Sequence, residues 1–207
     1  MAAEFLVVLI PMFIVIDPFG TLPLYLALTG GMAPQARSRT LKLALLFSTV
    51  LLVAFAFAGK AILDYLSVSL DALRIAGGLL LLVIGVMMLY EGDTPRSRKS
   101  KEEEPEGVGH SPEDIAFVPL GTPMLAGPGA ISVVIILTGT ASIALVVVAL
   151  LVAMALVALL LWKAQLLYRI IGKAGTRALT RVMGLITSAY AVQMILDGIT
   201  SYVISVI

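Results

Sequence analysis

Cysteine is missing from this 207-residue chain, and histidine and tryptophan occur once each. Disulfide frameworks and thiolate metal sites are therefore excluded. The one histidine, His110, lies in the charged loop with no partner pattern around it, and no cluster of acids falls within the apolar runs. Neither a metal set nor a nucleophile with its base can be assembled, so an enzyme is not expected. Charge is scarce too: 13% of the residues are charged against 60% hydrophobic, and the mean hydropathy is +1.07. That balance excludes a water-soluble domain. Gly127-Pro128-Gly129 is no phosphate cradle, because no Lys or hydroxyl follows in the Gly-Lys-Ser/Thr arrangement. No ATP site, cofactor or nucleic-acid partner is expected.

What the chain does have is long apolar runs. Six approach 20 residues, at about 5–28, 41–63, 70–90, 115–138, 142–162 and 182–207, the length that spans a bilayer core. The first lacks a basic n-region, carries Glu4 and has no A-x-A cleavage pattern, so it reads as a retained helix and not a secretory signal. The basic residues are strongly sorted. Twelve of the fourteen follow the first, third or fifth run, among them Arg37, Arg98 and Arg177, while only Lys60 and Arg74 fall on the other side. The positive-inside rule places those three loops in the cytoplasm and both termini outside, in a multi-pass plasma-membrane protein.

The middle loop, where Arg96-Ser-Arg-Lys-Ser-Lys101 runs into Glu102-Glu-Glu-Pro-Glu106, reads as a solvated linker. It divides the chain into a first repeat (1–92), a charged linker (93–113) and a second repeat (114–207). The repeats share landmarks: Pro18 and Pro128 lie 110 residues apart, and Arg74-Ile-Ala-Gly77 and Arg181-Val-Met-Gly184 lie 107 apart. Three spans per half is an odd number, so the second half enters the membrane from the opposite side. The expected fold is all-α, with six transmembrane helices as two inverted three-helix repeats and discontinuous helices 1 and 4. Gly77-Gly78 and Gly85 are expected to permit tight helix packing.

The interruptions are Asp17-Pro-Phe-Gly-Thr-Leu-Pro23 and Gly121-Thr-Pro-Met-Leu-Ala-Gly-Pro-Gly129. Gly and Pro breaks at matching points of two halves point to a transporter site near the midplane. In lipid each unsatisfied backbone group costs several kcal/mol, so such breaks persist only against protein or a cavity. The prolines flanking each break suggest unwound backbone. A half-helix that starts after a break directs free N–H groups and a partial positive charge toward an anionic group, and the carbonyls left behind can accept from an ammonium. A small zwitterion satisfies both ends. The candidate binding residues are Asp17, Pro18, Phe19, Gly20, Thr21, Ala126, Gly127, Pro128, Gly129 and Ser132, with Thr29, Thr138 and Gln193 as secondary candidates. Asp17 either meets the substrate ammonium, carries a coupling proton, or caps the half-helix behind it. Tyr190, Gln193 and Asp197 form one polar stripe in the last span, which faces the cavity or marks the outer end.

These motifs, together with Pro123-Met-Leu-Ala-Gly-Pro-Gly-Ala-Ile-Ser132, resemble those of the MarC/SnatA family of integral membrane proteins over nearly the whole chain apart from the linker. The resemblance implies six helices and, by analogy with members described as carriers of glycine and alanine, ion-coupled movement of small neutral amino acids. Asp17 favours H⁺ slightly as the coupling ion, whereas free carbonyls at the breaks could hold Na⁺. The bilayer is the surrounding partner, and a homo-oligomer stays open. The alternatives are a non-transporting scaffold and an exporter of a different small solute.

Overall fold

The computed structural model describes residues 2–91 and 111–206. Most of the 93–113 linker, including His110 and the Arg96–Glu106 charge run, lies outside the described residues, as does Gly92. All regular structure among the described residues is helical: α1 (Ala2–Ile16), α2 (Pro18–Thr29), α3 (Pro34–Tyr65), α4 (Leu70–Glu91), α5 (Pro112–Ile115), the π-helical α6 (Ala116–Leu125), α7 (Pro128–Thr140), α8 (Ile143–Trp162) and α9 (Ala164–Val206).

Local chemistry decides where several of these helices begin. Pro18, Pro34, Pro112 and Pro128 each occupy the first helical position, where the missing N–H is not needed and φ is already suitable. Ser111 closes a capping box with Asp114, and Ser142 accepts from the Leu145 N–H. Inside α9, Gly172 takes φ 71 and ψ 177, interrupting the helix. A side chain is strained at that φ, and glycine is not. At the end of α2 the Arg37 Nε and Nη2 donate to the Thr29 carbonyl at 3.1 and 2.7 Å, neutralising an orphan carbonyl.

Five helical stretches are long and apolar enough to cross a membrane, and the bent pair Pro112–Leu125 and Pro128–Thr140, turned by 54°, adds a sixth if it is one span. The helices extend beyond the apolar runs. α3 begins at Pro34, where the hydropathy pattern starts only at 41: Pro34 opens the helix at its first position without a side-chain cap, and the polar turns that follow stay helical. Contacts pair the ends. Arg39 binds Glu113 at 2.6 Å and Thr40 Oγ1 donates to the Pro112 carbonyl at 3.2 Å, joining the starts of α3 and α5. A Cβ added to Gly139 would meet Leu70 Cδ1 at 2.7 Å, so the end of α7 adjoins the start of α4.

Burial follows a lipid logic. Large apolar side chains such as Phe57, Leu159 and Ile204 are exposed around the outside, which would be a large liability in water. α7 is the central element: every residue from Ser132 to Leu137 is buried, and α1, α3, α4 and α8 pack around it. A helix that is apolar on all sides belongs in such a place. The most extensive pairing is α4 with α9. Added Cβ atoms would bring Gly78 against Ile195, Gly85 against the Gly184 carbonyl at 2.8 Å, Gly184 against Met88, and Gly198 against the Asp71 carbonyl at 2.9 Å. As numbers rise along α4 they fall along α9, so the two helices run antiparallel with backbones in close approach, the small-residue packing typical of membrane helices.

Candidate functional site

The first break is a single residue. Asp17 adopts φ 48 and ψ 69, its Oδ1 accepts from the Gly20 N–H at 3.0 Å, and the helix resumes at Pro18. Unwinding was expected through Pro23, yet Pro23 lies inside α2. One left-handed residue is enough to redirect the chain, and the carboxylate satisfies a donor that the new helix exposes. The Asp17 carbonyl accepts from both the N–H and the Oγ1 of Thr21, at 3.0 and 2.9 Å. Asp17 is 9% exposed, and capping is one role the geometry assigns it. Asp17→Asn retains an acceptor and should fold like the native chain. Asp17→Ala should lose about 1 kcal/mol, read as a lower melting temperature in detergent.

The second break is longer than its motif suggests. Non-helical backbone occurs at Val118 and Thr122 inside α6, and the Val118–Pro119 and Thr122–Pro123 bonds are cis. Ala126 (φ −113, ψ 56) and Gly127 (φ −77, ψ 170) then lead into α7. The irregular backbone is tied down rather than free. The Gly121 carbonyl accepts from the Ala126 N–H at 2.9 Å and from Ser48 Oγ at 3.1 Å, while Phe47 meets Phe117 edge-on with ring centroids 5.1 Å apart. Sequence reasoning missed this brace from α3. The available signal was Ser48, a hydroxyl amid an apolar run. Ser48→Ala should lower stability by about 1 kcal/mol, and because the Ala126 N–H still serves Gly121, the helix should not unravel.

The two breaks adjoin. A gap lined by Met12, Val15, Ile16, Ala130, Val133 and Val134 lies between α1 and α7; Ile16 immediately precedes Asp17, and Ala130 is the third residue of α7. Its lining is wholly apolar, and in this conformation it holds no space for a water molecule. A Cβ on Gly129 would lie 2.5 Å from Leu81 Cδ2 and 3.6 Å from Val15 Cγ1, so the start of α7 is wedged between α4 and α1. Ser132, 6% exposed, donates to the Pro128 carbonyl at 2.9 Å, and a Cβ on Gly77 would meet its Cβ at 2.7 Å. Unlike Gly127, which caps α7 with backbone alone, Phe19 contributes a ring, packed on Phe13 with centroids 6.2 Å apart.

The secondary candidates lie elsewhere. Thr29 closes α2 with its hydroxyl on the Tyr25 carbonyl at 2.7 Å. Thr138 bonds the Ile135 carbonyl near the far end of α7. Gln193 is exposed and donates to Asp197 Oδ1 at 2.7 Å. Among the described residues no three His, Asp or Glu side chains group as metal ligands.

Helices long enough to cross a bilayer, two of them interrupted next to each other in the core, define a multi-pass integral membrane protein with broken spans. The chain belongs to the MarC family: the family pattern, described as MarC family integral membrane protein, matches residues 2–203. A UPF0056 membrane protein of Methanocaldococcus jannaschii is 38% identical over 191 residues, 90% of this chain and 91% of the relative. The UPF0056 inner membrane protein MarC of Escherichia coli is 35% identical over 208 residues, 94% of this chain and 91% of its own. A further UPF0056 membrane protein, from Archaeoglobus fulgidus, is 31% identical over 198 residues, 94% of this chain and 91% of the relative. No solved structure matches the chain significantly.

Proposed function

We propose that this protein is a secondary transporter that moves small neutral amino acids, glycine and alanine first among them, across the cell membrane by alternating access coupled to an H⁺ or Na⁺ gradient. One observation carries the reading: two apolar spans break at corresponding places, each resumes as a half-helix opened by a proline, at Pro18 and Pro128, and the flanks of the two breaks line one gap. Paired discontinuous helices are how carriers expose backbone dipoles to a ligand within the membrane. The α7 terminus, capped by no side chain, suits a carboxylate. The small residues Ala126, Gly127, Gly129 and Ala130 suit a small ligand.

The antiparallel α4–α9 seam, formed by the third long helix of each half, supports an inverted repeat, and rocking of one half against the other would alternate access. The sorting of basic residues supports cytoplasmic loops after the first, third and fifth spans. Enzymatic chemistry has no residues to carry it on this reading.

The test is uptake of labelled glycine and alanine into proteoliposomes under imposed pH or Na⁺ gradients. Saturable uptake that follows one gradient supports the proposal and names the ion. Absence of flux in both loading directions would sink it in favour of the scaffold or another solute. If Asp17 carries the coupling proton, Asp17→Asn should flatten the pH dependence of uptake; an unchanged profile at normal activity assigns it capping alone.

A further inference from the structure

Buried positions along the second part of α9 fall on two faces. Gly184, Ser188 and Gly198, with the half-buried Ile195, meet α4. Thr176, Thr180, Met183 and Thr187, at spacings of four, three and four, form a separate buried stripe, with the threonines 5%, 0% and 2% exposed. After α4, the element packed most extensively on α9 is α2. α2 has its own polar stripe at spacings of four, made by Asp17 at its cap and then Thr21, Tyr25 and Thr29, all buried. The stripes match in length, since Asp17 to Thr29 rises about 18 Å and Thr176 to Thr187 about 16 Å.

The hydroxyls on these stripes do not behave alike. Thr21, Thr29, Thr176 and Thr180 each donate to the carbonyl four residues back, at 2.9, 2.7, 2.8 and 3.1 Å, the usual way for a threonine to hide its hydroxyl in a helix. Thr187 Oγ1 is fully buried and has no hydrogen-bond partner among the described residues. An unpaired buried hydroxyl is destabilising, and such a group calls for an explanation. Ser188 Oγ is also unpartnered, but it lies on the α4 face, against Gly85. At the other end of the α2 stripe, Arg37 spans the Thr29 and Gly30 carbonyls and presents a guanidinium where a carboxylate would arrive.

We infer that the seam between α2 and α9 is the cytoplasmic half of the substrate route, closed in this conformation, with Thr187 the hydroxyl that serves a passing zwitterion beside the Asp17 break. This rests on the transport reading above. Hydroxyls that donate and accept suit both ends of a zwitterion, and back-bonded threonines can turn their O–H from the helix carbonyl to the ligand and back, exchanging one hydrogen bond for another.

The chain contains no cysteine, so single-cysteine variants report cleanly. In membrane vesicles of known orientation, a membrane-impermeant methanethiosulfonate applied from the side bearing Arg37 should modify Thr180→Cys and Thr187→Cys at least tenfold faster than Ser188→Cys, at the same depth on the other face. Saturating alanine should slow the reaction at Thr187→Cys at least fivefold. Thr187→Val, which removes the unpaired hydroxyl, should raise the melting temperature and reduce uptake at least fivefold; a merely structural threonine would leave uptake unchanged. Equal modification of Thr187→Cys and Ser188→Cys, or normal uptake by Thr187→Val, overturns the inference while leaving transport by the native protein intact. If the native protein carries no amino acid yet Thr187→Cys is modified from that side alone, the route stands and the substrate assignment falls.

Discussion

Gly129→Val should abolish most uptake while leaving a protein that purifies as a single monodisperse species. The added Cβ alone would lie 2.5 Å from Leu81 Cδ2 and 3.0 Å from its Cγ, and Leu81 is itself buried at 2% exposure. The two methyls beyond it must also fit beside Val15, at the point where α7 leaves the second break. Overpacking of this kind costs about 1–3 kcal/mol. Concentrated in one state of an alternating-access cycle, that range corresponds to about a 5- to 150-fold slower rate. Proteoliposome flux measured beside a size-exclusion profile separates loss of transport from loss of fold. Gly129→Ala provides the graded companion, since only a leucine terminus must give way. Wild-type flux from a folded Gly129→Val protein would place the substrate away from the paired breaks.

Gly184→Val should have the largest effect on stability. A Cβ there meets the Gly85 carbonyl at 2.8 Å, Met88 Cβ at 2.8 Å and the Leu89 N at 3.1 Å, two of which are backbone atoms that cannot rotate away. The only relief is to separate α4 from α9 along the most extensive helix pair in the molecule. The expected loss reaches or exceeds the upper end of overpacking costs, about 3 kcal/mol, seen as a melting temperature many degrees lower or as aggregation in detergent. Gly31→Ala is the control: a Cβ there meets nothing within 4 Å, and an effect within about 0.5 kcal/mol is expected. A Gly184→Val protein as stable as the native chain would mean that the seam is looser than its backbone contacts indicate.

These two glycines show different degrees of legibility. Gly129 sits in a break visible from its prolines, because proline acts on its own backbone and needs no partner. Pro18 and Pro128, chosen from spacing alone, do open half-helices. Gly184 was visible as half of a repeated motif, but its partners Gly85 and Met88 were not, since they lie about 100 residues away in the chain. The breaks depart from the extent of their motifs in both directions. Pro23 is absorbed into a helix, and irregular backbone in the second half begins at Val118, ahead of Gly121. Proline marks where a helix is weak; whether the helix yields depends on what braces it, as Ser48 and Phe47 do for the second break.

Composition and local pattern determined by themselves that this chain belongs in lipid, that its structure is helical and where several helices start, because hydropathy, caps and proline act over a few residues. Only the tertiary structure decided that the flanks of the two breaks meet, that α4 and α9 touch through glycine, that Gln193 turns outward, and that Thr187, alone on its stripe, has no hydrogen-bond partner among the described residues. Those facts depend on which faces of distant helices come together. A helix carries the same periodicity whichever neighbour it meets, so the sequence can mark a face without naming what will cover it.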